Sequence, residues 1–584
     1  MIQPEFKSLI ELLERKLFRI PEYQRHYSWQ SKQRRDLFED IKTLQEERKR
    51  YDDRFHFMAT IVCLKTKDKQ QVGSNTYYVY DVVDGQQRLT TLIILLKAIS
   101  KRLKEDKQDI EADEIDKLLV KNDGRLIILQ NNHDNRSLLR NYLENGLLPS
   151  EEAIETAADE NLSDAIKECE RFVNSFDNTV ELLTLIKSYL YFIFQSMEDR
   201  GAVYRIFEAL NSRGLDVDWL DKCKSLLMGL LYEYAMSEDE NVFDQQLNEL
   251  HRYWSQIYSA IGLYPIRGSE ILQFAATLKS KTDAGRPLSA EDALEFIKAE
   301  CVKPEGNEQK IIKIVSYTAW IKDVTTCLAN LYADKKRNAV TEILQARLLA
   351  VAIMLRFRVD ADIKDREKLL DQWERTSFKI FGIFRKDARE KRGDYVRISK
   401  KILREDNAFE INDIVREIAK IGSGDDFSVD NFEIQLSEKD SYNEWQEEMR
   451  YFFYRYEEYL CKKNRIEISQ SVWRDIWNSS VSNTIEHILP QDYNHVSWAL
   501  FLGKNDLLHT IGNLCLLPPK LNSQAKNKSF SDKKEVYKRA NVFSLDEIIF
   551  DNGSERKNWN ASAVSQRTGR LIEFAKERWK DLDV

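Results

Sequence analysis

The feature that most constrains the fold is a long succession of apolar residues with helical spacing, from about residue 100 to about residue 460. Within it, "LDKCKSLLMGLLYEYAM" (220–236) and "ARLLAVAIMLRF" (346–357) repeat apolar side chains three and four positions apart, as one face of an α-helix requires. The 584 residues include only 19 glycines and 9 prolines, so few positions interrupt a helix. The sequence therefore predicts a mainly α-helical protein.

The two ends of the chain predict α/β structure instead. Residues 55–65 and 76–83 are short apolar runs rich in β-branched and aromatic side chains, which is typical of strands. Residues 86–103 predict a helix by their length and periodicity. The first 20 residues predict an amphipathic helix around "FKSLIELLERK", and a second mixed α/β region is expected after about residue 465.

Bulk properties exclude several classes of protein. The net charge of −8 means that any surface for DNA must be a local basic patch. No run of about 18 apolar residues and no signal-peptide pattern occurs, so neither a membrane-spanning helix nor secretion is expected. The seven cysteines are scattered and form no CxxC pair, which predicts reduced, buried thiols in a cytoplasmic protein rather than a disulfide framework.

A strand-to-helix turn is the first candidate site. In "YVYDVVDGQQRLTTL" (78–92) the predicted strand passes into the predicted helix at Asp84 and Gly85. Glycine can adopt a positive φ, and the N-terminus of the following helix is suited to bind phosphate. Arg88 in its first turn could form a bidentate contact to a phosphate or a carboxylate. Alternatively, Asp84 only caps the helix and Gln87 completes a capping box.

Two further segments accompany this turn, "IPEYQRHYSWQ" (20–30) and "FEALNSRGLDVDWLDKCKSLL" (207–227). In this order the three segments resemble the N-terminal domain of GmrSD-type modification-dependent restriction systems, a domain similar to the ParB/sulfiredoxin fold. The resemblance spans about residues 10 to 228, and "DGQQRLTTL" is its most specific part. The matching residues are Ile20, Pro21, Tyr23, Gln24, Arg25, Tyr27, Trp29, Asp84 to Thr91, Phe207, Leu210, Asn211, Arg213, Gly214, Asp221 and Lys224.

This resemblance implies binding and hydrolysis of a nucleoside triphosphate (GTP, ATP or another) at the turn. The chain has no GxxxxGK[ST] motif, so the implied NTPase would not be of the P-loop kind. The implied nucleotide-binding residues are Tyr23, Gln24, Arg25, Asp84, Gly85, Gln86, Gln87, Arg88 and Thr90.

The second candidate site lies in "NTIEHILPQD" (483–492). Hydrolysis of a phosphodiester needs a base to activate water, and the ordinary pKa of histidine suits His487 for that task. Glu486 and Asn522 supply oxygen ligands suited to Mg²⁺ or Mn²⁺. On a strand, however, Glu486 and His487 would point in opposite directions, unless the strand ends or bends there.

Two more residues belong to this candidate site. Asn513 lies 26 positions after His487 and could either bind the main chain near it or hold its imidazole in one tautomer. Lys526 lies four positions after Asn522, on the same face if the segment is helical, and could meet a phosphate.

The segments "EHILPQ", "GNLCLL" and "LNSQAK" resemble the HNH (ββα-metal) nuclease motif. Residues from about 440 to 580 also resemble the C-terminal nuclease domain of the GmrSD-type proteins. The resemblance implies His487 as base, Asn513 as positioning residue, and Glu486 and Asn522 as metal ligands. We expect His487 to contribute to the metal site as well, and we count Lys526, on its spacing, among the catalytic residues. One departure is that Glu486 replaces the aspartate common in other HNH families. Only Cys515 is nearby, so a structural zinc is not expected.

Two basic segments are candidates for contact with the DNA backbone. The first flanks the proposed metal site and contains Lys520, Lys526, Lys528, Lys533, Lys534, Lys538 and Arg539. The second contains Arg385, Lys386, Arg389, Lys391, Arg392, Arg397, Lys400, Lys401 and Arg404. A solvated helix face is an equally good interpretation of the second segment.

Together these features predict a mainly α-helical protein with α/β ends. A ParB-like nucleotide-binding domain (1–228) would be followed by a helical, DNA-contacting region (229–439) and an HNH nuclease domain (440–584). We expect an anti-phage, modification-dependent endonuclease that forms a homodimer and cleaves double-stranded phage DNA, for example DNA carrying glucosylated hydroxymethylcytosine. The alternatives are a nucleotide-switched sensor of DNA modification, for example of phosphorothioate, with a nicking-only or silent HNH site, and an NTPase that acts on a protein or RNA partner.

Overall fold

The computed structural model of the chain describes residues 4–72, 74–121, 126–131, 137–198, 203, 218–235, 240–282, 285–359, 362–404, 410–437, 440–492, 498 and 505–581. The chain forms two compact units. The first comprises Met1–Ser280 and Leu288–Ala329, and the second comprises Lys281–Pro287 and Asn330–Val584. The mainly helical fold class is confirmed, whereas the three-part division of the chain stays a prediction.

A six-stranded mixed sheet organises the first unit. Its strands are β1 (Glu5–Ser8), β2 (Lys16–Ile20), β3 (His56–Val72), β4 (Asn75–Asp84), β7 (Leu129–Asn131) and β8 (Leu190–Met197), and a separate short pair consists of β5 (Val120–Lys121) and β6 (Leu126–Ile127). The order across the sheet is β1-β8-β3-β4-β2-β7. The strands predicted at 55–65 and 76–83 are confirmed as β3 and β4, which pair antiparallel, while β2 joins β4 in parallel.

Helices pack around the predicted helix that follows the turn. The helices of this unit are α1 (Leu9–Leu13), α2 (Ser31–Arg48), α3 (Gln86–Glu105), α4 (Asp109–Leu119), α5 (Leu138–Asn145), α6 (Ala157–Asn174), α7 (Thr179–Tyr189), α8 (Trp219–Ala235), α9 (Glu240–Leu263), α10 (Gly268–Lys279), α11 (Ala290–Val302) and most of α12 (Asn307–Ala333). Helix α3 buries residues on all sides and packs against α4, α6 and α7, as expected of a helix that is apolar around its circumference. The start of α3 is therefore buried in the core of the unit.

The predicted amphipathic helix over the first 20 residues is wrong in extent. Only α1 is helical, begun by Ser8, whose side chain and amide both donate to the Glu11 carboxylate. The flanking segments are extended because they pair with other strands: Phe6 lies opposite Ile193 of β8, and Leu17 lies opposite Val79 of β4. Strand pairing here outweighs the local helical preference.

In its described residues, the second unit is built from helices and two short antiparallel ribbons. Its helices are α13 (Lys335–Asn338), α14 (Leu344–Arg356), α15 (Ile363–Ser377), α16 (Arg392–Leu403), α17 (Ile411–Ile421), α18 (Phe432–Ser437), α19 (Ser441–Glu444), α20 (Gln446–Asn464), α21 (Gln470–Asn478), α22 (Pro519–Ala525), α23 (Phe530–Tyr537), α24 (Asp546–Ile549) and α25 (Ala561–Arg578), and α15 continues into a π-helical turn, Phe378–Ile383. Large aromatic side chains fill the core. Phe452 stacks on Trp579, for example, with ring centroids 5.6 Å apart.

A two-stranded antiparallel ribbon carries the second candidate site. It consists of β9 (Ile485–His487) and β10 (Leu514–Leu516), and a second small pair consists of β11 (Phe550–Asp551) and β12 (Ser554–Glu555). His487 lies opposite Leu514 and Glu486 lies opposite Cys515. Helices α22 and α23 follow β10, so two strands and helices occur in the order that the HNH resemblance predicts. The ββα-metal and ParB-like folds themselves stay predictions.

Two expectations about the whole chain can be compared with the described residues. None of the helices found there is long and apolar enough to cross a membrane. All seven cysteines lie in the described part of the chain and are buried as thiols, as predicted.

Candidate functional sites

Gly85 gives the turn between β4 and α3 its shape. Its φ is +88°, and a Cβ at this position would lie 3.0 Å from the Ile61 side chain and 3.3 Å from the Thr60 carbonyl oxygen. Both the left-handed backbone and the lack of space require glycine. Asp84 accepts a hydrogen bond from the Gly85 amide through Oδ1 at 2.7 Å, and the helix begins at Gln86.

The capping box considered for this turn is not formed, because the Gln87 side chain is used elsewhere. Its Oε1 accepts from the Ser28 amide at 2.8 Å, and its Nε2 donates to the His26 carbonyl at 2.9 Å. Gln24 likewise donates to the Val83 carbonyl at 3.1 Å. Segment 20–30 and the turn, which resembled separate motifs in the sequence, therefore form one hydrogen-bonded substructure.

A buried charged network joins this substructure to α8 and α9. The Arg25 guanidinium lies 3.2 Å from the Asp221 carboxylate, and the Tyr258 hydroxyl donates to the same carboxylate at 2.6 Å. Lys224 donates to Gln24 Oε1 at 2.8 Å. Burial lowers the pKa of Lys224 to about 7, so its ammonium and neutral amine forms are comparably populated at neutral pH.

The remaining predicted nucleotide-binding residues have different surroundings. The Tyr23 ring stacks on His251 with centroids 4.1 Å apart, and Thr90 donates to the Gln86 carbonyl within α3. Gln86 is buried, and its Oε1 atom has no hydrogen-bond partner among the described residues. The Arg88 guanidinium lies 5.7 Å from the centre of the Trp29 ring.

Electrostatics at the turn involve Asp84 and Arg88. Burial raises the pKa of Asp84, against the opposing effects of the Gly85 amide and Arg88. Burial also lowers the pKa of Arg88, against the opposing effect of Asp84. Both groups are thus incompletely hydrated, a condition in which charge–charge interactions at the turn are stronger than at an open surface. Phe207, Leu210, Asn211, Arg213 and Gly214, which also match the resemblance, lie outside the described residues.

The second candidate site centres on His487 at the end of β9. Its Nε2 lies 3.1 Å from Nδ1 of His509, so one ring donates to the other. The Tyr442 ring lies edge-on to His487 at 4.5 Å and stacks on His509 at 5.4 Å. Burial, followed by His509 and Lys533, lowers the pKa of His487 to about 3, while Asp440 opposes the shift. The imidazole is therefore neutral at pH 7.

Asn513 binds the main chain, which decides between the two roles considered for it. Its Oδ1 accepts from the Leu489 amide at 2.9 Å and from Trp559 Nε1 at 3.1 Å. Its Nδ2 donates to the Leu489 carbonyl at 3.2 Å and to the Leu508 carbonyl at 2.9 Å. The fully buried amide thus fixes the chain that immediately follows His487.

Glu486 points away from His487, as strand alternation predicts. Its Oε1 accepts from Lys533 Nζ at 2.7 Å and from the Tyr537 hydroxyl at 2.8 Å. Burial raises the pKa of Glu486, and Lys533 opposes that shift. The carboxylate is 4% exposed and already has a cationic partner.

Asn522 and Lys526 lie on and just after α22. Asn522 donates through Nδ2 to the carbonyls of Asn483 at 2.8 Å and Ile485 at 3.1 Å, which places it on the free edge of β9. Helix α22 ends at Ala525, and Lys526 adopts a φ of +37°. Lys526 is exposed, but it follows the helix rather than continuing the helical face of Asn522.

The requirement for Mg²⁺ or Mn²⁺ stays a prediction, and two of its three predicted ligands contact other protein groups. Among the residues that the structure describes, no group of three or more His, Cys, Asp or Glu side chains is placed to hold a metal ion. Glu486 faces Lys533, and His487 Nε2 faces His509. Both hydrogen bonds described for Asn522 use Nδ2. Its Oδ1 oxygen is therefore the atom of this residue that could bind a metal ion.

The basic segments are only partly available to DNA. In the first, Lys533 and Lys534 are buried and paired with Glu486 and Glu555, which corrects their assignment to a DNA-facing surface. The exposed members are Lys520, Lys526, Lys528, Lys538 and Arg539.

The second segment combines buried and exposed charges. Lys400 is buried and donates to the Thr282 carbonyl at 2.6 Å. Arg385 lies 2.7 Å from Glu444 of α19, the helix that also carries Tyr442. This contact places the beginning of the segment beside the His487 site. Arg389, Arg397 and Arg404 are exposed.

Sequence reasoning missed His509, Tyr442 and the role of Lys533. His509 precedes Asn513 by four residues in "HTIGN", a proximity that could have drawn attention to it. Tyr442 and Lys533 carry no comparable local signal, because only the folding of distant segments brings them to β9.

Comparison with known proteins identifies both ends of the chain. Residues 6–228 match the family model of the GmrSD restriction endonuclease N-terminal domain. Residues 426–574 match the family model of the GmrSD restriction endonuclease C-terminal domain. A search of curated proteins finds no match to the chain. Since both matched domains occur here in one polypeptide, the chain belongs to the fused, single-chain form of the GmrSD restriction endonucleases.

Proposed function

We propose that this modification-dependent restriction endonuclease cleaves DNA with His487 as general base, and that a nucleoside triphosphate bound at the Gly85 turn regulates cleavage. One observation carries the catalytic assignment. The neutral His487 imidazole is held at the end of β9 by His509, while Asn513 fixes the chain that follows it. An imidazole whose orientation and protonation are both set can accept a proton from water.

Burial makes His487 a weak base in the absence of DNA, but DNA opposes this effect. A phosphate placed beside the ring favours the imidazolium and so raises its pKa. This coupling would make proton transfer to His487 favourable chiefly when the backbone of DNA is bound.

The predicted requirement for Mg²⁺ or Mn²⁺ belongs to the same proposal and can be tested directly. Chelation with EDTA is expected to stop cleavage, and readdition of Mg²⁺ or Mn²⁺ is expected to restore it. Cleavage that continues at full rate in EDTA would contradict the requirement. Zn²⁺ serves as the comparison ion, because the described residues offer no cysteine-rich ligand set.

Nucleotide binding is proposed at the N-terminus of α3. The support is the left-handed Gly85 and Arg88 in the first helical turn. The buried Gln86 Oε1 atom has no hydrogen-bond partner among the described residues and could accept from a nucleotide donor. Backbone amides at a helix N-terminus can bind phosphate oxygens, and Arg88 can add a charge-assisted bond. Gln24 and Gln87 are proposed to act indirectly, by holding segment 20–30 against the turn.

Arg88→Ala is expected to weaken nucleotide binding by about 10–100-fold, since a hydrogen bond to a charged group contributes roughly 1.5–3 kcal/mol. Titration of the full chain with a fluorescent GTP or ATP analogue measures the change. Arg102→Ala is the matched control, because Arg102 lies near the other end of α3 and pairs with Glu105 and Asp106. Equal affinities of the two variants would contradict the proposed site.

DNA is proposed to lie along the exposed basic residues that flank the His487 site. They include Lys520, Lys526 and Lys528 on one segment and Arg389 on the other. A homodimer would supply two His487 sites, one for each strand of a duplex. Contacts of this kind bind the backbone and do not identify the modification.

A sensor with a silent or nicking-only site is the second candidate function. It is favoured by one observation: Tyr442 and His509 cover His487, and Glu486 is engaged by Lys533. Such a protein would bind modified DNA, for example phosphorothioate DNA, in a nucleotide-dependent way without cutting both strands.

The deciding experiment compares DNA with and without glucosylated hydroxymethylcytosine, with Mg²⁺ or Mn²⁺, and with or without nucleoside triphosphate. Double-strand cleavage of only the modified DNA, increased by nucleotide, is the result expected. Nucleotide-dependent binding with nicking or no cleavage would support the sensor instead. A parallel arm with phosphorothioate DNA distinguishes the two candidate modifications.

A further inference from the structure

Lys533 is a completely buried cation beside His487, and the catalytic proposal above does not use it. Its side chain is 0% exposed, although the sequence places it in a basic segment. Its Nζ donates to Glu486 Oε1 at 2.7 Å and to the His487 carbonyl oxygen at 2.5 Å. The Lys533 ammonium thus contacts both the Glu486 side chain and the main chain of His487.

We propose that Lys533 is the counter-ion of Glu486, and that Lys533, Glu486 and Tyr537 together form a positioning lock for His487. In this assignment Glu486 is not a ligand of the metal ion. The inference rests on the endonuclease function proposed above and specifies how its base is held.

The edge of β9 explains why a lock is needed there. Residues 484, 486 and 488 face β10 with their main-chain groups, as shown by the bonds from Leu517 to Thr484 and from Ile488 to Asn513. The main-chain groups of residues 485 and 487 therefore face the opposite edge. The Ile485 carbonyl is bound there by Asn522, and the His487 carbonyl is bound by Lys533. At this edge of β9, side chains thus bind the main-chain carbonyls that a neighbouring strand would otherwise bind.

The surroundings of Glu486 favour an internal ion pair. Its strand partner Cys515 is buried in an apolar cluster that also contains Tyr537 and Trp559. A carboxylate in such a place needs a paired charge and further hydrogen bonds. Lys533 supplies the charge, and Tyr537 donates a second hydrogen bond.

The length of the acidic side chain agrees with this role. Glutamate is one methylene longer than the aspartate common at this position in other HNH families, and it reaches both donors on α23. A shorter carboxylate would stay closer to β9. Glutamate at this position can therefore pair with Lys533 and Tyr537 of the protein instead of binding a metal ion.

The ion pair itself can be tested without DNA cleavage. Urea unfolding of the full chain is measured for wild type, Glu486→Gln, Lys533→Met and the double variant. Strong coupling is expected, so that the double variant unfolds at nearly the same urea concentration as Lys533→Met alone. Additive shifts of the two single substitutions would overturn the pairing. This readout stays decisive even if no cleavage of any DNA is found.

The positioning role is tested by cleavage kinetics. Glu486→Gln keeps an oxygen that can accept from Lys533 and Tyr537, but an amide is a weaker metal ligand than a carboxylate. The Mg²⁺ concentration for half-maximal cleavage is expected to change less than about threefold. A rise of about tenfold or more in this variant would show that Glu486 binds the metal ion and would overturn the proposal.

Lys533→Met provides the complementary measurement. We expect kcat to fall about tenfold or more with little change in the KM for DNA, because the lock acts on His487 and not on the DNA surface. Lys534→Met is the matched control, since Lys534 is the buried neighbour and pairs with Glu555 instead. An equal loss of kcat in both variants would overturn a specific role for Lys533.

Discussion

His487→Ala is expected to reduce the rate of DNA cleavage by about 10²–10⁴-fold, the usual contribution of a positioned general base. The substitution removes the imidazole that His509 and Tyr442 hold at the end of β9. It leaves the contacts of Lys533 and Asn513 to the neighbouring main chain possible. The loss should therefore appear in kcat more than in the binding of DNA. Single-turnover cleavage with excess enzyme measures the chemical step directly.

The control for this prediction is His56→Ala, which removes a partly exposed histidine of the first unit that lies 3.7 Å from Asp40. Urea unfolding measured on both variants shows whether each remains folded. Cleavage by His487→Ala at more than about a tenth of the wild-type rate would exclude His487 as the base. Equal losses in both histidine variants would point to a general effect on the protein.

Asn513→Ala is expected to lower the free energy of unfolding of the second unit by about 3–5 kcal/mol. The Asn513 amide is 0% exposed and satisfies four groups, namely the Leu489 amide and carbonyl, the Leu508 carbonyl and Trp559 Nε1. Without it these buried groups lose a partner, and each such loss costs roughly 1–3 kcal/mol before the structure relaxes. Cleavage should fall as well, because the chain after His487 is no longer fixed.

Asn522→Ala is the matched control for stability. Its amide binds two carbonyls but is half-buried, so water can replace the lost bonds, and a smaller loss of about 1 kcal/mol is expected. Chemical unfolding followed by tryptophan fluorescence measures both variants, since Trp559 contacts Asn513 directly. Similar stabilities of the two asparagine variants would contradict the structural role assigned to Asn513.

The two candidate sites differ in how much of each could be predicted. At the Gly85 turn, the strand, the glycine and the start of the helix are all local features, and all three are confirmed. The function of the surrounding glutamines could not be predicted in the same way. The contact of Gln24 and Gln87 with nucleotide stays a prediction, and the structure adds that their side chains bond to protein groups about 60 residues away.

At the nuclease site the alternation of β9 was predicted correctly, because side-chain direction along a strand follows from its backbone geometry. The separation of Glu486 from His487 was therefore foreseeable. Its consequence was not, since the partner of Glu486 is Lys533, 47 residues further along the chain. The same limit explains the N-terminal segment, where pairing with β4 and β8 replaced the expected helix on both sides of α1.

The sequence by itself determined the mainly helical composition, the β4–Gly85–α3 turn and the family of the chain, because these depend on residue patterns that are close together. The tertiary structure alone decided which polar groups remain available for chemistry. Lys533, Lys534 and Lys400 belong to basic runs in the sequence but are buried with partners in the fold. Burial and pairing depend on segments that are distant in sequence, and they determine whether a charge binds DNA, a metal ion or the protein itself.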